Sequence, residues 1–362
     1  MQVYPLKSMT IEEATEKQFE LVDAITQEFS GSEILTRGDL GVQPLGNIPQ
    51  TTRKVEKVLA RFFKQEDAIF VRGSGTAAIR EALASIVENG DKVLVHQAPI
   101  YTTTITTLKQ LGIITVACDF NDINDVKDTL SNNKDLKAVL IQYTRQTLED
   151  HYDMGSLIHE IKTHSDIPII TDDNYAVMKV HKTGVELGAD LSCFSTFKLL
   201  GPEGIGCVIG KKEYIDTIRS FHYSGGSQTQ GFEALEVLRG MVFAPVTHAI
   251  QAVESEKILI GLKEITGIKD AVIVNAQSKV ILVQFEDAIA KQVLEHAETL
   301  GAAPYPIGAE SKYEIAPMFY RLSGTMRSVL SDSQTHWIRI NPMRSGAKTV
   351  LRILQEAMER VV

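Results

Sequence analysis

Short apolar runs alternate with amphipathic segments through the middle of the chain. Ala68–Val71, Lys92–Val95, Ile113–Cys118, Ala138–Gln142, Pro168–Thr171, Leu191–Phe194 and Cys207–Gly210 are too short for helices and rich in β-branched residues, which predicts strands. Between them Ala78, Ala82 and Ile86, and later Leu157, Ile158 and Ile161, recur at helical spacing. Apolar strands separated by helices form a mostly parallel sheet covered on both faces. The pattern therefore predicts a large α/β domain over residues 51–255.

Ahead of it, Thr10-Ile11-Glu12-Glu13 can form a capping box, and Phe19, Val22, Thr26 and Phe29 follow at helical spacing. A loop rich in glycine and proline comes next, so residues 1–50 read as an N-terminal helix and loop. Val55, Val58, Leu59 and Phe62 then mark a helix leading into the sheet. Beyond a long helical stretch near 231–262, the order is Ala271–Val274, Lys279–Phe285, a helix around 286–300, Trp337–Ile340 and a closing helix from about 346. This suits a smaller α+β domain over 256–362, within which Gly301 to Thr335, with Pro304, Pro306 and Pro317, follows no regular pattern.

Composition narrows the class of protein. Of 362 residues 44% are hydrophobic and 23% charged, the balance of a soluble globular chain with a sizeable core. Basic residues number 37 against 46 acidic, a net charge of −9, which argues against a protein built to grip nucleic acid or an anionic membrane. No apolar run precedes Glu12, and no stretch is long enough to span a membrane, so a cytoplasmic protein is expected. Cys118, Cys193 and Cys207 form no CxxC pair and read as small core residues of a reducing compartment, and no metal site is expected.

In an open parallel sheet, ligands bind beyond the carboxyl ends of the strands. After the first strand comes Arg72-Gly73-Ser74-Gly75-Thr76-Ala77-Ala78, where a glycine turn opens a helix whose free N–H groups could hold a phosphate. It lacks the spacing of a nucleotide-hydrolysing loop or a dinucleotide fingerprint, and alone it also fits a structural turn. After the second strand Tyr101 could stack on a planar ring or simply pack. The strand ending at Thr171 is followed by Asp172-Asp173-Asn174-Tyr175, and adjacent buried carboxylates are costly unless a cation or proton faces one. Last comes Phe194-Ser195-Thr196-Phe197-Lys198-Leu199-Leu200-Gly201-Pro202-Glu203-Gly204-Ile205-Gly206. A lysine between an apolar strand and a Gly-Pro turn is drawn from solvent, which lowers its pKa and suits it to attack a carbonyl.

A phosphate nest, a stacking aromatic, a carboxylate and a desolvated lysine, in that order, are the parts needed to hold pyridoxal 5'-phosphate (PLP). The chain resembles a fold-type-I PLP-dependent enzyme over most of its length. The lysine segment is similar to that of class V aminotransferases and of the selenocysteine-synthase-like group, whereas Asp173-Asn174-Tyr175 and Asn47-Ile48-Pro49-Gln50-Thr51 resemble the cystathionine-lyase group. The resemblance implies an α/β fold of the aspartate aminotransferase-like type with a smaller C-terminal domain.

It also implies residue roles. Lys198 would carry the cofactor and shuttle protons, and Asp173 would pair with the pyridine nitrogen, in preference to Asp172 because asparagine follows that aspartate in the cystathionine group. Ser74, Gly75, Thr76 and Ser195 would hold the phosphate and Tyr101 would stack on the ring. Arg339, in Trp337-Ile338-Arg339-Ile340-Asn341, would grip a substrate carboxylate with its planar fork, with Arg344 as the alternative. Arg145 would meet an acidic substrate group or the ring oxygen, or lie in a solvated loop. Ser224-Gly225-Gly226-Ser227-Gln228-Thr229 resembles a segment that reaches a neighbouring subunit, implying a homodimer with shared sites. The leading expectation is a class-V-like aminotransferase acting on a small amino acid. The alternatives are a lyase eliminating a β- or γ-substituent, or a non-catalytic protein retaining the fold.

Overall fold

Each strand expected in the middle of the chain is present in the computed structural model, which describes residues 2–40, 48–145, 147–274, 279–308, 310–322 and 332–361. Asn47 and the glycines at 41 and 46 lie outside the described residues. The strands are β1 (Asp67–Arg72), β2 (Lys92–His96), β3 (Ile114–Cys118), β4 (Leu136–Gln142), β5 (Ile169–Asp172), β6 (Leu191–Ser195) and β7 (Ile205–Gly210). They form one sheet in the order β1-β7-β6-β5-β4-β2-β3. Pairing from β3 through β6 is parallel, and β7 runs antiparallel to both its neighbours.

The helices described are α1 (Ile11–Glu28), α2 (Gln50–Phe62), α3 (Ser74–Ala84), α4 (Thr102–Gln110), α5 (Ile123–Asn132), α6 (Met154–His164), α7 (Lys212–Phe221), α8 (Gly231–Leu262), α9 (Ala290–Thr299) and α10 (Ala347–Glu359). The chain divides into two units, one of residues 12–144 and 151–245, the other of 1–11, 145–150 and 246–362.

In the first unit both faces of the sheet are covered. Leu21, Leu59, Phe70, Phe194, Leu235 and Met241 pack on one face, from α1, α2, the strands and the first half of α8. Ala77, Ala78, Ala82, Ile170, Cys193 and Ile218 pack on the other, from α3, α7 and the strands. Phe70 and Phe194 are fully buried, and each such side chain contributes about 1.5–3 kcal/mol. The small residues of α3 let it lie close to the sheet at the carboxyl ends of β5 and β6.

The buried face of α1 differs from the expected one. Phe19 and Val22 are exposed, and Ala14, Leu21, Ala24 and Ile25 are buried. Two apolar stripes share this helix, and the one carrying Leu21, Ala24 and Ile25 joins the core cluster that holds Val55 and Leu59 of α2.

The second unit holds a four-stranded antiparallel sheet in the order β10-β11-β9-β8, from β8 (Ile268–Val274), β9 (Val280–Phe285), β10 (Met318–Tyr320) and β11 (Trp337–Asn341). Ile281, Val283, Phe319, Ile338 and Ile340 face α9 and α10. Leu282, Tyr320 and Trp337 occupy the other face. β10 lies in the proline-rich stretch that follows no pattern in the sequence. Among the described residues no helix is long and apolar enough to cross a membrane.

Candidate active site

The carboxyl ends of β1, β5 and β6 bring most of the expected residues of the first unit together. Gly73 and Ser74 donate their N–H groups to Gly204 O at 2.7 and 3.1 Å, fixing the start of α3 against the loop that enters β7. Ser74 adopts a left-handed backbone, φ +58°, and a Cβ on Gly206 would lie 2.2 Å from Ser74 O, so β7 reaches this turn only because residue 206 is glycine. No side chain caps α3, whose first-turn N–H groups include those of Gly75 and Thr76.

Asn174 joins this turn to the neighbouring strands. Its Nδ2 donates to Asp172 Oδ1 at 2.7 Å and its Oδ1 accepts from Ser195 N at 3.0 Å. The backbone N–H of Asn174 also donates to Asp172 Oδ1, at 3.1 Å. Lys198 follows Ser195 in a short 3-10 turn, Thr196–Leu199, and its Nζ stands 4.8 Å from the centre of the Tyr175 ring. Tyr175 has φ +64°, a conformation costly for a side chain of this size and found at sites where surrounding structure enforces it.

The adjacent aspartates point to different sides of the sheet. Asp172 pairs with Cys193, whose Sγ lies 3.5 Å from Ala78 O, so Asp172 shares the face that carries α3. Burial pushes its carboxyl above the usual range, opposed by the Asn174 hydrogen bonds and the nearby Lys198 ammonium. Asp173 turns the other way. Its Oδ2 accepts from Gly184 N at 2.9 Å, beside Thr171 and Ser192, whose hydroxyls are 3.0 Å apart. Burial drives its carboxyl up to about 6, against the Ser192, Gly184 and Thr171 donors, and its Oδ1 makes no hydrogen bond among the described residues.

Tyr101 precedes α4 beyond the end of β2, two strands from β5, and is 40% exposed. Arg145 and Arg339 belong to the second unit. Arg145 is buried and donates to Tyr4 O at 2.7 Å, so it is not a solvated loop residue. Arg339, on β11, lies with its guanidinium carbon 4.1 Å from the centre of the Tyr320 ring and donates Nε to Arg321 O at 2.8 Å. Arg344 donates to Gln251 Oε1 and Glu310 O, both at 3.1 Å, and so is engaged within its own unit. Reading the sequence singled out neither the bridging role of Asn174 nor the place of Tyr175; the left-handed φ of Tyr175 has no mark in a single sequence.

These atoms fit PLP. The uncapped first turn of α3 suits a phosphate. Asp172 Oδ1 takes both Asn174 bonds, leaving Oδ2 without a hydrogen bond among the described residues and able to accept from a pyridinium N–H. Lys198 is close enough to bias the Asp172 carboxylate.

Comparison with known proteins agrees. The uncharacterized protein YhfS of Escherichia coli K12 is 51% identical over the full length of both chains. The crystal structure of that pyridoxal-5'-phosphate-dependent protein has a TM-score of 0.98, covering 99% of this chain and 100% of its own. A putative cystathionine β-lyase involved in aluminum resistance from Listeria monocytogenes has a TM-score of 0.74 at 17% identity, covering 97% and 96%, and shares the fold. A probable cysteine desulfurase of Staphylococcus aureus Mu50 is 29% identical over 52% of this chain and 47% of its own. Residues 256–354 match the YhfS-like C-terminal domain, and residues 46–247 match the family of Cys/Met metabolism PLP-dependent enzymes. With the lysine, the carboxylates and the phosphate turn all inside that second match, the chain belongs to the Cys/Met metabolism PLP-dependent enzyme family.

Proposed function

We propose that this protein is a PLP-dependent lyase that eliminates a β- or γ-substituent from a small amino acid. The observation that carries the reading is the match of residues 46–247, the whole lysine-bearing sheet, to enzymes of cysteine and methionine metabolism. The leading expectation from the sequence, a class-V-like aminotransferase, gains no support from the relatives, whose names include a cystathionine β-lyase and a cysteine desulfurase.

When bound, PLP withdraws electrons from the substrate Cα and so weakens its bonds. Lys198 Nζ would be the attachment point and the base for the Cα proton, and in elimination it could give that proton to the departing substituent. The first turn of α3 at Ser74, Gly75 and Thr76, with Ser195, would hold the phosphate, and Tyr101 would offer its face to the ring.

The side-chain directions support a change in one assignment. Asp172, on the α3 face and near Lys198, is better placed than Asp173 to hold a proton on the pyridine nitrogen. Asp173 is committed to Gly184 on the other face. Arg339 grips the substrate α-carboxylate, a role its planar fork suits, and Arg145 positions the N-terminal segment through Tyr4. We assign the working form as a homodimer, supported by the resemblance of Ser224–Thr229 to a subunit-bridging segment; light scattering tests it directly.

The test is to follow ammonia and keto acid from a panel of cysteine, homocysteine, cystathionine and alanine with no amino acceptor added. Stoichiometric ammonia and keto acid from the substituted substrates, abolished by Lys198→Ala, is the expected result. Turnover that requires an added keto acid and releases no ammonia would restore the aminotransferase.

A further inference from the structure

Gly240 brings α8 against the turn that carries Lys198. A Cβ on residue 240 would lie 2.5 Å from Leu200 C, 2.6 Å from Leu200 O and 2.8 Å from Gly201 N, all atoms of one peptide bond. Backbone atoms cannot swing aside as the end of a side chain can, so the helix reaches this peptide only because residue 240 is glycine. Leu238, Arg239 and Met241 around it are better helix formers, and a glycine inside a helix costs stability. Gly240 and the turn both belong to the first unit.

The turn has little freedom to yield. Thr196 O accepts from Leu200 N and from Gly201 N, the latter at 3.0 Å, so the backbone closes around Lys198. Leu200 has φ +64°, a left-handed conformation costly for any residue with a side chain. Leu199 is buried in one cluster with Val237, Leu238 and Met241 of α8. At the other end Thr196 Oγ1 donates to Ile205 O at 2.9 Å, and Ser195 N donates to Asn174 Oδ1 at 3.0 Å. The first turn of α3 is fixed separately, to Gly204 O beyond this turn. A push on peptide 200–201 is thus taken up inside the closed turn, where Lys198 stands, before it reaches either anchor.

We propose that Gly240 is a positioning residue for Lys198. Its missing side chain lets α8 set the place of peptide 200–201, and with it the place of the lysine amine at the end of β6. The proposal rests on the reading of Lys198 as the attachment point of PLP. The part of Gly240 is to place that amine and not to bind the phosphate, and the two effects separate in an experiment.

Pyridoxamine 5'-phosphate has the ring and phosphate of PLP but no aldehyde, so it binds without the lysine. In Gly240→Ala the rate at which PLP becomes fixable by borohydride, read by intact mass, should fall about tenfold or more, because a small misplacement of a reacting group is costly. The affinity for pyridoxamine 5'-phosphate, measured by calorimetry, should stay within about threefold of the parent. Equal loss of both, or loss of neither, overturns the proposal. Adding Leu200→Gly frees the left-handed position, since glycine takes that conformation and others alike, and lets the peptide yield to the new Cβ. The double variant should recover a fixation rate within about threefold of Leu200→Gly alone, and it decides the matter also where Gly240→Ala by itself does not fold. No recovery, or a double variant that does not fold, overturns the link through peptide 200–201. Lys198→Ala separates the two ideas. Cofactor still fixed in that variant removes Lys198 as the attachment point and the proposal with it; cofactor lost there upholds the attachment point, and the Gly240 comparison then decides the positioning role.

Discussion

Asn174 holds Asp172 in place: its amide donates to Asp172 Oδ1 at 2.7 Å while the other end of the same amide accepts from Ser195 N at 3.0 Å. One side chain thus sets the distance between the carboxylate at the end of β5 and Ser195 at the end of β6. Gly75 makes this possible. A Cβ there would lie 2.5 Å from both Asn174 Nδ2 and Oδ1. In Gly75→Ala the amide must shift, and overpacking of this kind costs about 1–3 kcal/mol. PLP affinity, measured by equilibrium dialysis, should fall about tenfold or more with the far-ultraviolet circular dichroism unchanged.

The opposite orientations of Asp172 and Asp173 predict different phenotypes. Asp172→Ala removes the carboxylate on the face shared with α3 and Lys198, and turnover should fall on the order of a hundredfold or more. Asp173→Ala should keep turnover within about tenfold of the parent, its loss appearing as lower stability. Steady-state kinetics of both variants, saturated with PLP, decides the matter. Severe loss only in Asp173→Ala would return the ring-nitrogen role to the residue expected from the sequence.

Asp173 also makes a prediction about pH. Its carboxyl is raised from 3.8 to about 6, chiefly by burial, so the folded state binds a proton that the unfolded chain has already lost. Its contribution to stability is fully present below about pH 4 and is lost as pH rises through about 6. Asp173→Asn keeps an acceptor for Gly184 N and removes the charge. The variant should therefore gain stability over the parent above pH 6, of order 3 kcal/mol at most, and lose that advantage near pH 4. Urea denaturation of the PLP-free proteins at pH 4, 5.5 and 7.5 would show it. An equal difference at each pH would mean that Asp173 does not titrate in this range.

Much of this was legible before any coordinates. The strands of the large sheet show in the sequence because β-branched runs buried on both faces leave an unmistakable apolar trace. Arg72–Thr76 and Ser195–Lys198 stand at strand ends, where glycine and lysine contrast sharply with the apolar runs before them. β10 was not legible, since Met318–Tyr320 is short and preceded by prolines. The burial of Phe19 and Val22 was misjudged because two apolar stripes on α1 satisfy the same spacing. The adjacent aspartates pose a harder problem. Consecutive residues at the end of a strand face opposite sides, so Asp172 and Asp173 exchange roles with a one-residue change of register. A resemblance through the following asparagine leaves that register undetermined.

Lys198 and Tyr175 supply the last prediction. The ring lies 4.8 Å from Lys198 Nζ, and a second ammonium, that of Lys179, lies 5.4 Å from the same ring, so the aromatic face is shared by two cations. The left-handed φ of Tyr175 costs energy that the fold supplies to keep the ring there. Borohydride reduction of the PLP-loaded protein followed by intact-mass measurement should find one cofactor fixed per chain, lost entirely in Lys198→Ala. Tyr175→Leu should still fix the cofactor, because Nζ remains. Its rate of fixation should rise several-fold, by about the 0.5–2 kcal/mol such a cation–ring contact contributes, since that contact stabilises the protonated amine and only the neutral amine attacks a carbonyl. Tyr175→Phe retains the ring face and should fix cofactor at the parental rate. An equal change in the Phe and Leu variants would place the contribution of Tyr175 in its hydroxyl instead.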